Sequence, residues 1–286
     1  CPKCGGRGEA YVYKGGHRLT CNRREKCGLS TSLWEYVQSS RGLSPQETLR
    51  ELARLAGYEL PALDAEAVER LERARAQAEA WESVLEHFQA ELWGEAGVTV
   101  RAYLAGRGYT EPEVRGMGLG LFTGPEDVAA YLKRAGYNED QAGPVRDAFK
   151  LEKLAPAHKL TIAYRDQAGR IAGLILRALD GTEPKYLYTR GLKRDTPFNL
   201  DRARALPEKL LVVEGILDAL AVREKAGLPN VVALGDASLS ESKLAQAVKY
   251  GTKAVVLGLD NDKAGADGTE RALELLRKAG LRSYVL

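Results

Sequence analysis

The stretch Lys209-Leu210-Leu211-Val212-Val213-Glu214-Gly215-Ile216-Leu217-Asp218-Ala219-Leu220 decides the fold. A short apolar run stops on an acid and a glycine, and a helical pattern over 216–226 starts at once. The same alternation continues: 230–234 is apolar, 240–249 helical, 253–259 apolar, 269–278 helical and 282–286 apolar. Strands that alternate with helices predict a parallel sheet with right-handed crossovers. In such sheets function gathers beyond the carboxyl ends of the strands. Glu214 stands at one such end, with Asp218 four residues on. Asp260 and Asp262 stand at another, after Val255-Val256-Leu257-Gly258-Leu259. Carboxylates converging there suit Mg²⁺, which takes oxygen ligands and keeps waters for phosphates. Two such ions can clamp the attacking and leaving oxygens of a phosphoryl transfer. A lone Asp-x-Asp is more often a cap or a surface charge, so the pairing of two strand-end signals carries the weight. Gly265 and Gly268 loosen the turn that follows.

Upstream, 159–165 and 170–179 read as a hairpin around Asp166-Gln167-Ala168-Gly169, with a third strand at 185–189. This region holds Arg177, Lys185, Arg190, Lys193, Arg194, Arg202 and Arg204 beside Tyr186 and Tyr188. Basic and aromatic residues interleaved on strands suit a single-stranded nucleic acid or phosphate contact. A solvated sheet face accounts for that composition equally well. Helical segments precede it at 98–108 and 111–117. Farther upstream, 64–93 carries Val68, Leu71, Ala74, Ala78, Trp81, Leu85, Phe88 and Leu92 at steps of three and four, an amphipathic packing or linker helix. Nine acids from Asp64 to Glu95 oppose three arginines there, so this helix is not expected to face phosphate. Helices are also expected at 32–38 and 44–56, the second started by Ser44-Pro45-Gln46-Glu47.

All four cysteines of the chain, Cys1, Cys4, Cys21 and Cys27, lie in the first 27 residues. Cys-x2-Cys puts two thiolates on one tight turn, and Zn²⁺ takes four such ligands in a tetrahedron. Short strands at 9–14 and 17–20 around Gly15-Gly16 complete a zinc ribbon. The second pair, Cys-x5-Cys, is looser, which leaves room for His17 to replace one cysteine as a ligand. Two disulfides, or four free core thiols, would account for the same cysteines without a metal. Four protein ligands leave no open position, so the metal is structural. Residues 1–30 hold seven basic residues against two acids, and Tyr11 and Tyr13 share a face, which favours contact with single-stranded nucleic acid.

The chain has 286 residues, which predicts about two domains. Its composition, 44% hydrophobic and 28% charged, excludes collagen, a wholly disordered chain and a disulfide scaffold. The net charge of +3 hides local patches of both signs. No window of about 18 apolar residues predicts a membrane span. No secretory signal is read, and clustered cysteines fit a reducing cytoplasm. The chain starts at Cys1 rather than Met and ends on a strand, so it reads as an excerpt of a longer protein.

Val212-Val213-Glu214-Gly215-Ile216-Leu217-Asp218 and Leu259-Asp260-Asn261-Asp262-Lys263-Ala264-Gly265 resemble the two signatures of the TOPRIM domain. Together with the ribbon and the basic region, the chain resembles the bacterial DnaG-type primases and their phage and mobile-element relatives. Pro184-Lys185-Tyr186-Leu187, Arg170-Ile171-Ala172-Gly173 up to Arg177, and Arg101-Ala102-Tyr103-Leu104 to Arg107-Gly108 also resemble that family's motifs. The resemblance implies Glu214, Asp260 and Asp262 as ligands of Mg²⁺ or Mn²⁺, with Asp218 supporting them. It implies Arg177, Lys185 and Tyr186 at template or nucleotide phosphates, with Lys193 placed less firmly because the spacing after Lys185 is short. It further implies de novo RNA primer synthesis on a single-stranded DNA template from nucleoside triphosphates, and a replicative helicase as partner. No Gly-x4-Gly-Lys-Ser/Thr loop is present, so this segment has no helicase motor of the usual kind.

The expected architecture is α/β. It comprises a zinc ribbon over 1–60, a linker helix over 61–96, a mixed α+β basic part over 97–205 and a TOPRIM parallel sheet over 206–286. Rival readings are another TOPRIM enzyme, a nuclease or topoisomerase, or a non-catalytic recombination mediator that joins zinc to TOPRIM.

Overall fold

In the computed structural model the described residues are 1–12, 18–23, 27–60, 65–166, 168–203, 208–235, 239–249 and 251–286. Their named strands form three sheets, and the chain divides into two units, Cys1–Val68 and Glu69–Leu286.

In the first unit β1 (Ala10–Val12), β2 (Arg18–Cys21) and β3 (Ser30–Ser32) form an antiparallel sheet in that order. Ala10 pairs with Cys21 and Tyr11 with Thr20, the hairpin expected around the glycines. Tyr13 and His17 lie outside the described residues. Two helices follow, α1 (Leu33–Arg41) and α2 (Pro45–Leu55). Each opens with a reciprocal cap. Ser32 Oγ accepts from the Glu35 amide at 3.0 Å while Glu35 accepts from the Ser32 amide at 3.0 Å. Ser44 and Glu47 repeat this at 3.3 and 2.8 Å, which satisfies amides that a helix start leaves open.

The second unit takes up α3 (Ala65–Trp93) from Glu69 onward. The expected apolar stripe splits in two. Leu85, Phe88 and Leu92 are buried, joined by Ala80 and Val84, whereas Leu71 is 56% exposed. Next come α4 (Val98–Gly106), α5 (Glu111–Met117), β4 (Gly120–Leu121), α6 (Pro125–Arg134), α7 (Glu139–Asp147), β5 (His158–Arg165), β6 (Ile171–Ala178) and β7 (Tyr186–Tyr188). Strands β4-β5-β6-β7 form an antiparallel sheet in chain order. Against one face pack the buried half of α3, α6 and α7, through Phe88, Phe122 and Phe149, whose rings meet at centroid distances of 5.4–6.0 Å. Helices α6 and α7 were not legible in the sequence. Each is short, and α7 carries Pro144 in its interior, which removes a ladder hydrogen bond.

The C-terminal part follows the expected alternation: α8 (Leu200–Ala203), β8 (Lys209–Val213), α9 (Ile216–Ala226), β9 (Val231–Ala233), α10 (Glu241–Lys249), β10 (Ala254–Gly258), α11 (Lys263–Lys278) and β11 (Arg282–Val285). All four strands are parallel, in the order β11-β10-β8-β9. The interiors of β8, β9 and β10 are near-continuous apolar runs, as expected of parallel strands buried on both faces, whereas the edge strand β11 is largely exposed. Phe198 exchanges two backbone hydrogen bonds with Ala233, at 2.9 and 3.1 Å, and so occupies the β9 edge. One core joins the two sheets of this unit: Leu160, Ile162 and Tyr164 of β5 share it with Val213, Ile216 and Leu217. Among the described residues no helix is long and apolar enough to cross a membrane.

Candidate active site

Two groups of ligand-type side chains were expected, and the structure gives them different geometries. In the first unit the sulfurs of Cys1, Cys4, Cys21 and Cys27 all lie within 4.8 Å of one another. Cys1 Sγ is 3.6 Å from Cys27 Sγ, and Cys4 Sγ is 3.9 Å from Cys21 Sγ. Zn–S bonds of about 2.3 Å in a tetrahedron put sulfurs about 3.8 Å apart, whereas a disulfide needs about 2.05 Å. The quartet is therefore clustered like a zinc site, and no pair of it is bonded. Burial pushes the Cys21 thiol up, while the Gly6 amide holds Cys4 down.

In the second unit the register decides the site. Strands β8 and β10 are neighbours, with Val213 opposite Gly258. Glu214 follows the first and Asp260 the second, so both emerge at the same sheet end. Each motif also carries a glycine with a steric reason. A Cβ at Gly215 would stand 2.0 Å from Asp218 Oδ2, so the Asp218 carboxylate rests against bare backbone. A Cβ at Gly265 would stand 1.9 Å from the Asp260 carbonyl, so the first turn of α11 closes onto the acidic loop only with glycine there. Asp262 caps that helix, accepting from the Gly265 amide at 2.8 Å. This is why α11 starts at Lys263, earlier than the sequence pattern indicated: Gly265 and Gly268 are buried inside it rather than in a loose turn.

Asp218, Asp260 and Asp262 are exposed, and Glu214 is half-buried. Glu214 Oε2 is buried with no hydrogen-bond partner. Burial, then the charges of Asp260 and Asp262, push the Glu214 carboxyl above the usual range, against an opposing amide of Asp260. A buried carboxylate oxygen with nothing to bind, among other carboxylates, fits a divalent cation with oxygen ligands. Among the described residues only the cysteines bring three or more ligand atoms within 4.8 Å of one another. The carboxylates stand farther apart, a spacing that suits ions holding part of their water shell.

Glu214, Asp218 and Asp260 line a cleft of about 250 Å³, and its other wall is basic: Arg107, Arg177 and Lys185, with Tyr186. Arg177 and Tyr186 are cross-strand partners on β6 and β7. Of the residues the sequence singled out, Asp262, at the cap of α11, does not line the cleft, and neither does Lys193. Lys193 is exposed on the loop after β7, while its neighbour Arg194 lies over the Tyr188 ring at 4.3 Å. Arg107 and Tyr103 were quoted only as part of a motif. The structure brings Arg107, which follows α4, into the cleft lining, and Tyr103 of α4 to Arg177, whose Nη2 donates to Tyr103 Oη at 3.0 Å.

A parallel sheet with Glu-Gly at one strand end and Asp-x-Asp-x-Ala-Gly at the next defines a class, and residues 211–286 match the Toprim-like family. The chain is a homologue of the DnaG-type DNA primases. It is 31% identical to the DNA primase of Thermotoga maritima over 261 residues, which is 87% of this chain and 45% of that protein. The Aquifex aeolicus primase, solved as its zinc-binding and RNA polymerase domains, covers 100% of this chain with 70% of its own, at a TM-score of 0.62 and 24% identity. A DnaG primase catalytic domain bound to single-stranded DNA covers 76% of this chain with 72% of its own, at a TM-score of 0.62 and 24% identity. The chain spans less than half the length of the first curated relatives it matches.

Proposed function

We propose that this chain is the template-binding and polymerising part of a DNA primase, an RNA polymerase that makes short primers de novo on single-stranded DNA. The observation that carries this reading is the two-faced cleft: Glu214, with its unpartnered buried oxygen, looks across at Arg107, Arg177 and Lys185. Glu214, Asp260 and Asp262 would hold Mg²⁺ or Mn²⁺, with Asp218 behind them against Gly215. When bound, the ions supply the positive charge that a triphosphate needs beside carboxylates. The basic wall binds triphosphate and template phosphates and holds two nucleotides in line, so that the 3′-hydroxyl of one displaces pyrophosphate from the other. Tyr186 packs beside the basic groups, where a base or sugar can rest on its ring.

In the same reading the ribbon holds structural Zn²⁺ and, through its basic surface, selects the template start. The functional parts are 1–60, 61–96, 97–205 and 206–286, the partners a single-stranded template, nucleoside triphosphates and a replicative helicase, and the compartment the cytoplasm. The test is synthesis of RNA on a single-stranded DNA template with all four nucleoside triphosphates and Mg²⁺ or Mn²⁺. Short template-dependent products are expected. No product from the chain extended to the length of its relatives contradicts the reading.

A further inference from the structure

Arg177 is 5% exposed, and among the described residues no carboxylate forms an ion pair with it. A buried guanidinium without an anion is costly unless its donors are satisfied. Three of its five N–H groups find phenol oxygens: Nε and Nη2 donate to Tyr103 Oη at 3.2 and 3.0 Å, and Nη1 donates to Tyr186 Oη. The guanidinium also lies 5.0 Å from the Tyr186 ring centroid. The two phenols come from different elements, Tyr103 from α4 and Tyr186 from β7, so they grip the guanidinium from two sides. Burial pushes the Tyr186 phenol up, away from its charged form, so it meets the guanidinium as a neutral acceptor. A carboxylate in their place would fix the arginine equally well but cancel its charge and compete with an incoming anion. Phenol oxygens fix the fork, leave the charge whole, and leave two N–H groups with no hydrogen-bond partner among the described residues, on an arginine that lines the cleft.

We propose that Tyr103 is a positioning residue: with Tyr186 it holds Arg177 rigid and unneutralised to receive the triphosphate of an incoming nucleotide. This rests on the nucleotidyl-transfer reading and names the group that tunes its phosphate-binding arginine. Tyr103 acts through Arg177, so its effect belongs in ground-state triphosphate binding and in KM.

The experiment uses Tyr103→Phe, which keeps the ring and removes the acceptor, beside Tyr186→Phe and Arg177→Lys. Binding of Mg·ATP and of inorganic tripolyphosphate is measured by calorimetry, and KM and kcat by primer synthesis. Hydrogen bonds to charged groups carry enough energy that Tyr103→Phe is expected to weaken both ligands about tenfold and to raise KM by a similar factor, with kcat changed less than about threefold. Adding Tyr103→Phe to Arg177→Lys is expected to cost nothing further, because the residue it positions is already changed. Unchanged binding in both phenylalanine variants, or full additivity with Arg177→Lys, overturns the proposal. If the wild type binds neither ligand, Arg177 is not a triphosphate site and the proposal falls with that result. If the wild type binds both but makes no RNA, only the primase reading fails, and the binding arm still decides the role of Tyr103.

Discussion

The cysteine quartet and the carboxylate set are both ligand clusters built on turns, and they are built to opposite ends. The cysteines close on one another, with all sulfurs within 4.8 Å. The carboxylates stay apart, three of them exposed, and one oxygen of the fourth is buried without a partner. A closed set of soft ligands offers nothing to a substrate and everything to the fold. The open set, of which Glu214, Asp218 and Asp260 face a basic wall across a cleft of about 250 Å³, is left for something outside the chain to complete. The difference teaches that ligand number matters less than whether the set is completed by the protein itself.

The largest expected effect tests the closed site. Structural zinc is worth about 10–16 kcal/mol in small domains, more than a unit of this size holds by other means. Cys21→Ser, or zinc removal by a chelator, is expected to unfold residues 1–60 while 69–286 stays folded. Limited proteolysis reads this directly: rapid loss of the first unit with the second protected. Survival of both units breaks the comparison on its first side.

Next in size is the open site. Asp260→Ala is expected to lower primer synthesis by about two to three orders of magnitude, the usual scale for removing an electrostatic catalytic group. Folding and single-stranded DNA affinity should stay near wild type, because Asp260 is exposed. Retained synthesis in that variant removes the carboxylate from the metal role. A smaller effect is expected at Gly265. Its Cβ would meet backbone, 1.9 Å from the Asp260 carbonyl, which cannot rotate away. Gly265→Ala should therefore cost about 1–3 kcal/mol by overpacking, read as a lower Tm, and should displace the acidic loop. At Gly215 the obstacle is a side-chain carboxylate, so Gly215→Ala should shift Asp218 with little loss of stability.

The α/β alternation and the strand-end acids were legible because buried parallel strands write themselves as short apolar runs ended by a functional residue. Glu214 and Asp260 needed only that grammar. The sequence offers Asp262 as a metal ligand, and the structure shows it capping α11. Helices α6 and α7 were not legible, since short proline-bearing helices take their stability from Phe122 and Phe149 packing on α3 rather than from local pattern. Arg107 and Tyr103 sat in a quoted motif without a role. What gives them one is the approach of α4 to β6, a long-range contact that no local spacing encodes.

The smallest effect has the most informative sign. Burial and neighbouring acids raise the Glu214 carboxyl, so its ionisation opposes folding when no cation is bound. The stability it allows is fully present below its unfolded value of 4.5 and is lost as pH rises through the raised folded value. In EDTA at neutral pH, Glu214→Gln is therefore expected to raise Tm. The gain should vanish at pH values below that of the free carboxyl. A fall in Tm at neutral pH would show that the buried oxygen is satisfied after all.

The most direct measurement localises the ion. Fe²⁺ substituted for Mg²⁺, with ascorbate and peroxide, cuts a polypeptide beside the bound metal. The expected cuts fall next to Glu214 and at Asp260–Asp262, are suppressed by excess Mg²⁺, and disappear in Glu214→Gln. Cuts confined to other segments, or cuts at these positions that persist in Glu214→Gln, would contradict a divalent metal held at the ends of β8 and β10.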